Sequence, residues 1–192
     1  MEESRRERKK RETQEKIYAS AMQLFRQRGL AGTSIEQITQ HADVGKGTFY
    51  NYFSSKEAVV LEFSRRAYRD ILAQGREKRS LGIRHRLEEL LEDWAEFMIA
   101  EREMAWVAVR SREGAESDLG LHYAIQGILT LGQREGQIRA DFDPVFLAET
   151  LEGMMIQHFI SWFVQSRGDL KEELRRVLKV FLDGLSEEKH RA

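Results

Sequence analysis

Lys46, Gly47, Thr48, Tyr50, Asn51 and Tyr52 bring an ammonium, a bare stretch of backbone, a hydroxyl, an amide and two phenols into one short run. Groups of this kind donate to phosphate oxygens and base edges, and a glycine lets another backbone come close. Phe49 and Phe53, four apart, fall on the other side of a helix and can anchor it to its neighbours. The run from Lys46 to Phe53 is a poor helix former, with a glycine and four aromatics. Contacts, rather than helix propensity, account for it, and the chemistry is non-covalent recognition of a nucleic acid.

Such a probe needs a rigid holder. Thr33 to Ala42 reads as a short helix with Ile35, Ile38 and Ala42 on one face. The Thr33–Ser34 pair is placed to cap it and to offer further donors, and Ser34 with Gln37 fits a capping box. Asp43, Val44 and Gly45 break the chain: Asp43 tolerates a turn, Val44 plugs the gap, and Gly45 accepts strained dihedrals. Two short helices joined this closely are the unit that lays one helix into a DNA major groove. Residues 13–28 place Ile17, Ala21, Leu24 and Phe25 on one stripe, closed by Gly29 and Gly32, as a bracing first helix.

Ala42, Val44, Gly45, Gly47, Thr48, Phe49, Tyr50, Tyr52, Phe53, Lys56 and Glu57 follow the order and spacing of one known pattern. The segment resembles the DNA-binding domain of TetR-type transcriptional regulators. The family often has Gly at the turn and Ser before the reading helix, where this chain has Asp43 and Gly45. The resemblance implies an all-α chain. It has a three-helix helix-turn-helix domain over 1–55 and a helical ligand-binding and dimerisation domain over 56–192. It also makes Lys56 a phosphate contact, although taken alone a lysine there reads better as a solvated surface residue. A helical ligand-binding or interaction module without sequence-specific DNA binding is the competing reading, and it leaves residues 33–57 unexplained.

The net charge of −1 hides an asymmetry. Residues 1–56 carry 11 Lys/Arg against 7 Asp/Glu, and the remainder 20 against 25. Much of the excess lies in Arg5, Arg6, Arg8, Lys9, Lys10 and Arg11, either a solvated, frayed start or an arm for phosphates or a minor groove. Absence of cysteine excludes disulfides and thiolate chemistry. No apolar run approaches a membrane span and the amino terminus lacks a signal core, so a cytoplasmic chain with no membrane partner is expected. His41, His85, His122, His158 and His190 show no paired ligand spacing, and no phosphate loop or nucleophile elbow is present. No catalytic residue, metal or cofactor is expected.

Beyond residue 55 the periodicity is helical, with a single proline. A long helix to about Gly75 carries Val60, Ser64, Ala67, Tyr68, Ile71 and Leu72 on one face. Ile83 to Met98 gives a stripe of Ile83, Leu87, Leu90, Leu91, Trp94, Phe97 and Met98, and a shorter helix carries Met104, Trp106, Val107 and Val109. A break at 112–120 precedes Leu121, Ile125, Ile128 and Leu129, and residues 132–141 form a connector. Asp143 caps and Pro144 opens the next helix. That helix has one stripe of Leu147, Leu151, Met154, Met155, His158, Phe159 and Trp162 and a second of Ile156, Ile160, Phe163 and Val164. The last helix is apolar through Leu170, Leu174, Val177, Leu178, Phe181, Leu182 and Leu185. Helices apolar on more than one side need covering on more than one side, which predicts a homodimer through the last two. Two heads about 34 to 36 Å apart would then read double-stranded DNA at a near-palindromic operator.

The resemblance further implies a small-molecule effector among the middle helices and repression relieved by it. Phe63, Trp94, Phe97, Met98, Trp106, His122, Tyr123, Met155 and Phe159 are the candidate lining, and plain core is the better reading of each apolar one taken alone. His122 and His158 need polar partners, either on a neighbouring helix or on a ligand. Aromatic and Met lining favours a hydrophobic effector, planar or acyl-like.

Overall fold

The computed structural model describes residues 4–75, 82–111, 120–165 and 168–184. The expected break at 112–119, the side chain of Leu72, Leu185 and His190 lie outside the described residues. Among the described residues the chain is all-helical, with helices α1 Arg5–Arg28, α2 Ile35–His41, α3 Lys46–Tyr50, α4 Lys56–Gly75, α5 Ile83–Ala100, α6 Arg102–Arg110, α7 Leu121–Arg134, α8 Pro144–Gln165 and α9 Leu170–Asp183.

The chain divides into two compact units, residues 1–63 and 64–192. The division falls inside α4, whereas the expected boundary lay ahead of it at 55/56. The first turns of α4 belong to the first unit, where Val59 and Val60 are fully buried. That unit's core also holds Ile17, Ala21, Leu24 and Phe25 of α1, Ile38 and Ala42 around α2, and Phe49 and Phe53. Burial of each large side chain here contributes about 1.5–3 kcal/mol.

Helix α1 starts earlier than the apolar stripe indicates. Ser4 caps it through a box with Glu7, Ser4 Oγ accepting from Glu7 N–H at 3.2 Å, and Arg5 to Arg11 are helical and exposed. The frayed start is thus corrected to capped helix, because a cap satisfies amide donors that an amphipathic pattern does not register.

In the second unit, Trp94, Leu87, Leu91 and Met98 of α5 pack in one cluster with Ile125 and Leu129 of α7, Leu151, Met155 and Phe159 of α8, and Leu174 and Val177 of α9. Gly132, expected in a connector, is buried in the last turn of α7. A Cβ there would lie 2.7 Å from Ile138 and 3.0 Å from Ile83, so the glycine permits this close packing. The connector therefore begins at Glu135, and Gln133 ties it down by donating through Nε2 to the carbonyls of Arg139 and Phe142. Asp143 does precede α8, its carboxylate accepting from Val145 N–H at 2.6 Å.

Candidate nucleic-acid interface

The holder is built by two linked caps. Ser34 Oγ accepts from Gln37 N–H at 3.2 Å while Gln37 Oε1 accepts from Ser34 N–H at 2.9 Å, which closes the capping box at the start of α2. At its end Val44 N–H donates to Thr39 O and Asp43 N–H to Gln40 O, the paired bonds of a Schellman turn. Such a turn needs a left-handed residue, and here it is Asp43, at φ 49°. Gly45, expected to carry strained dihedrals, is extended at φ −74° and serves as the N-cap of α3 without a side-chain bond. The strain sits on Asp43 because the Schellman geometry assigns it there.

Helix α3 is shorter than Lys46 to Phe53, yet its bonding runs on: Asn51 N–H donates to Gly47 O and Phe53 N–H to Phe49 O. Phe49 and Phe53 are buried, with ring centroids 6.0 Å apart. Tyr50 stands edge-on to Phe49 with 55% of its surface exposed. Lys46, Gly47 and Asn51 are exposed, Thr48 and Tyr52 half-buried. Two anchors inward and a row of donors outward is the arrangement expected for a reading helix. A Cβ on Gly47 would meet nothing within 4 Å, so the backbone faces open space. Beside α3 an open groove of about 570 Å³ is lined by residues that include Ser34, Glu36, Gln37, Tyr50 and Lys56.

Lys46 does not stand alone. Its ammonium bonds the carboxylate of Glu36 on α2, an exposed pair that sequence spacing did not flag. The Glu36 carboxyl is held at about 2, chiefly by the Lys46 ammonium, then by Glu36's own backbone N–H and the Ser34 hydroxyl. Two of the expected contacts are placed differently. Thr33 is 2% exposed and its hydroxyl donates to Gly29 O at 2.9 Å, so its side chain is not presented to a partner. Lys56 Nζ donates to Leu30 O at 2.7 Å and to Thr33 O at 3.2 Å, which ties the start of α4 to the α1–α2 connection.

The candidate effector lining separates in the same way. Phe63 belongs to the first unit and the other eight residues to the second. Trp94, Met98, Met155 and Phe159 are buried together, with Trp94 and Phe159 edge to face at 6.0 Å. Phe97 and Trp106 pack at the margin, Trp106 stacking on Phe163 at 4.3 Å. Tyr123 is 64% exposed and is not part of that lining. Exposure follows from its position on the solvent side of α7, opposite buried Leu121, Ile125 and Leu129. His122 lies 3.5 Å from Glu152 and His158 3.5 Å from Glu173, so each histidine has a carboxylate partner on a neighbouring helix. Tyr68 was not anticipated as lining: it is buried in this cluster, accepts from Trp94 Nε1 and lies against Phe97. The phenol at an apolar position was the available signal. Ser64, with its hydroxyl buried and unpartnered among the described residues, gave none.

A capped helix pair presenting α3, followed by an all-helical unit, is the arrangement of a helix-turn-helix domain joined to a second helical domain. Residues 17–63 match the bacterial regulatory proteins of the tetR family. The repressor NemR of Escherichia coli K12 is 40% identical over 57 residues, 30% of this chain and 29% of that one. KstR2, a repressor of Rhodococcus jostii, is 25% identical over 142 residues, 64% of this chain and 66% of that one. Thermus thermophilus FadR, a TetR-family repressor solved with lauroyl-CoA, superposes with a TM-score of 0.83 at 27% identity, over 90% of this chain and 95% of that one. The helix-turn-helix unit is thus of the TetR type, and the chain as a whole resembles that family's regulators. Its match spans 18% of YuxN of Bacillus subtilis and 29% of NemR, less than a third of these curated relatives.

Proposed function

We propose that the protein is a homodimeric transcriptional repressor that binds a near-palindromic operator and is released by a hydrophobic small molecule. The observation that carries the reading is the inward pair Phe49 and Phe53 beneath outward Lys46, Gly47, Tyr50 and Asn51. Ser34, Thr48 and Tyr52 extend the contact, and the capped, basic start of α1 adds phosphate contacts. A regulator of this kind works in the cytoplasm, beside the DNA.

Dimerisation is supported by what α8 and α9 leave uncovered. Leu151, Met155 and Phe159 face the core, whereas Phe146 and Val164 on α8 and Val180 on α9 are exposed, Val164 at 67%. Ile156 and Ile160 lie between them, half-buried. Two copies of this surface can pair about a twofold axis and set the spacing of the two reading helices.

For the effector, we favour a long-chain acyl thioester, a choice supported by the apolar cluster of Trp94, Met98, Met155 and Phe159 and by the lauroyl-CoA complex of the Thermus relative. Helix α4 contributes to both units, and an effector that prefers a dimer form unsuited to the operator must weaken operator binding by the factor with which operator weakens it. The test is gel retardation of a near-palindrome selected from a random library, titrated with acyl-CoAs of increasing chain length, beside sedimentation of the free protein. Binding that tolerates salt poorly on random duplex, survives on the selected site and is relieved by acyl-CoA is expected. A monomer that shifts no duplex would overturn it.

A further inference from the structure

The lysines around the helix pair already hold acceptors in the free protein. Lys46 is paired with Glu36, Lys16 lies 3.7 Å from Asp43 at the Schellman turn, and Lys56 is spent on the carbonyls of Leu30 and Thr33. Lys46 matters most, being the first residue of α3 and the cation on the reading surface itself. Glu36 stands in the first turn of α2, two residues after the cap residue Ser34, within reach of the start of α3.

We infer that Glu36 is a specificity-determining residue that holds Lys46 away from phosphates and so suppresses sequence-independent DNA binding. The inference rests on reading this surface as a DNA interface. Non-specific affinity comes from cations that displace counterions from phosphates, each worth about 0.9 in the slope of log affinity against log salt. The Glu36–Lys46 pair is neutral as a unit. If Lys46 leaves for a phosphate, the Glu36 carboxylate stays behind beside the backbone charge, so the exchange gains little. A regulator confronted by a genome of competing sites profits from that, because its selectivity is the ratio of operator to random affinity.

Glu36→Gln keeps the size of the side chain and removes the charge. Retardation of a short random-sequence duplex across a salt series should show about two- to fivefold tighter binding by Glu36→Gln, the range of an exposed ion pair. The salt slope should steepen by about 0.9. In a Lys46→Gln background the same substitution should give a clearly smaller gain and leave the salt slope unchanged, only the direct repulsion of the Glu36 carboxylate being relieved. Equal gains in both backgrounds would mean that Glu36 repels DNA directly, and no gain in either would mean that it does nothing; each result overturns the clamp. Far-UV circular dichroism establishes that the variants fold, and Glu36→Ala with Lys46→Met repeats the cycle should either glutamine variant fail to. Failure of the unmodified protein to bind any duplex would instead overturn the DNA-binding reading, so the two ideas fall separately.

Discussion

Trp94 donates its indole N–H to the phenolic oxygen of Tyr68 at 2.9 Å, with both side chains buried, and the Tyr68 hydroxyl lies 3.8 Å from the sulfur of Met98. The bond joins α4 to α5 inside the second unit and gives the buried indole donor its partner.

Tyr68→Phe should therefore cost more than the loss of one hydroxyl. It leaves the Trp94 N–H buried without an acceptor, a penalty of about 1–3 kcal/mol. Urea denaturation followed by tryptophan fluorescence should show a lower midpoint with an unchanged slope. A midpoint equal to that of the unmodified protein would show that the indole finds another acceptor.

Lys56 separates two roles. Its ammonium has three donors, and two are spent on Leu30 O and Thr33 O. Lys56→Met should destabilise the first unit by about 1–2 kcal/mol, a charge-assisted pair of bonds discounted for partial exposure. The slope of DNA affinity against salt should not change. A slope flattened by about 0.9 with stability intact would return Lys56 to the phosphate contacts that the family resemblance implied.

The residues tell where sequence could and could not lead. Ser34 with Gln37, Phe49 with Phe53, and Asp143 with Pro144 were legible because caps and helical spacing are local rules. The bonds of Thr33 and Lys56 were not legible, because a polar type says nothing about a carbonyl that folding brings to it, from Gly29 in one case and from Leu30 in the other. Glu36 and Lys46 meet only once the Asp43 turn sets α3 against α2, and the left-handed residue of that turn was not the glycine. Tyr123 and Tyr68 exchanged places for a similar reason. An amphipathic helix can be read for its buried stripe, but the partner each buried phenol finds is a tertiary matter.

The Glu36–Lys46 pair makes a pH statement with a definite sign. The folded carboxyl lies at about 2, below its ordinary 4.5, so its stabilising contribution is present above the ordinary value and is lost as pH falls through about 2. Carbon-13 titration of Glu36 at low salt should find it ionised well below pH 4.5. The midpoint should rise toward the ordinary value in high salt and in Lys46→Gln, since the pair is exposed. An unmodified protein whose Glu36 titrates at its ordinary value would show that the pair does not form in solution.

Gly47 gives opposite signs for stability and binding. It sits inside α3, where a Cβ would meet no atom within 4 Å, so alanine fits the free protein without strain. Replacing a helical glycine by alanine should stabilise the first unit by up to about 1 kcal/mol, visible as a raised thermal midpoint. The same methyl would stand where a phosphate or base edge must approach the backbone. Duplex affinity should fall about tenfold or more, roughly 1.4 kcal/mol, against the gain in stability. Glycine is a poor choice for a helix that only has to fold, and a reasonable one for a helix that must be touched closely. A Gly47→Ala protein that is more stable and binds DNA unchanged would show that α3 docks through its side chains alone.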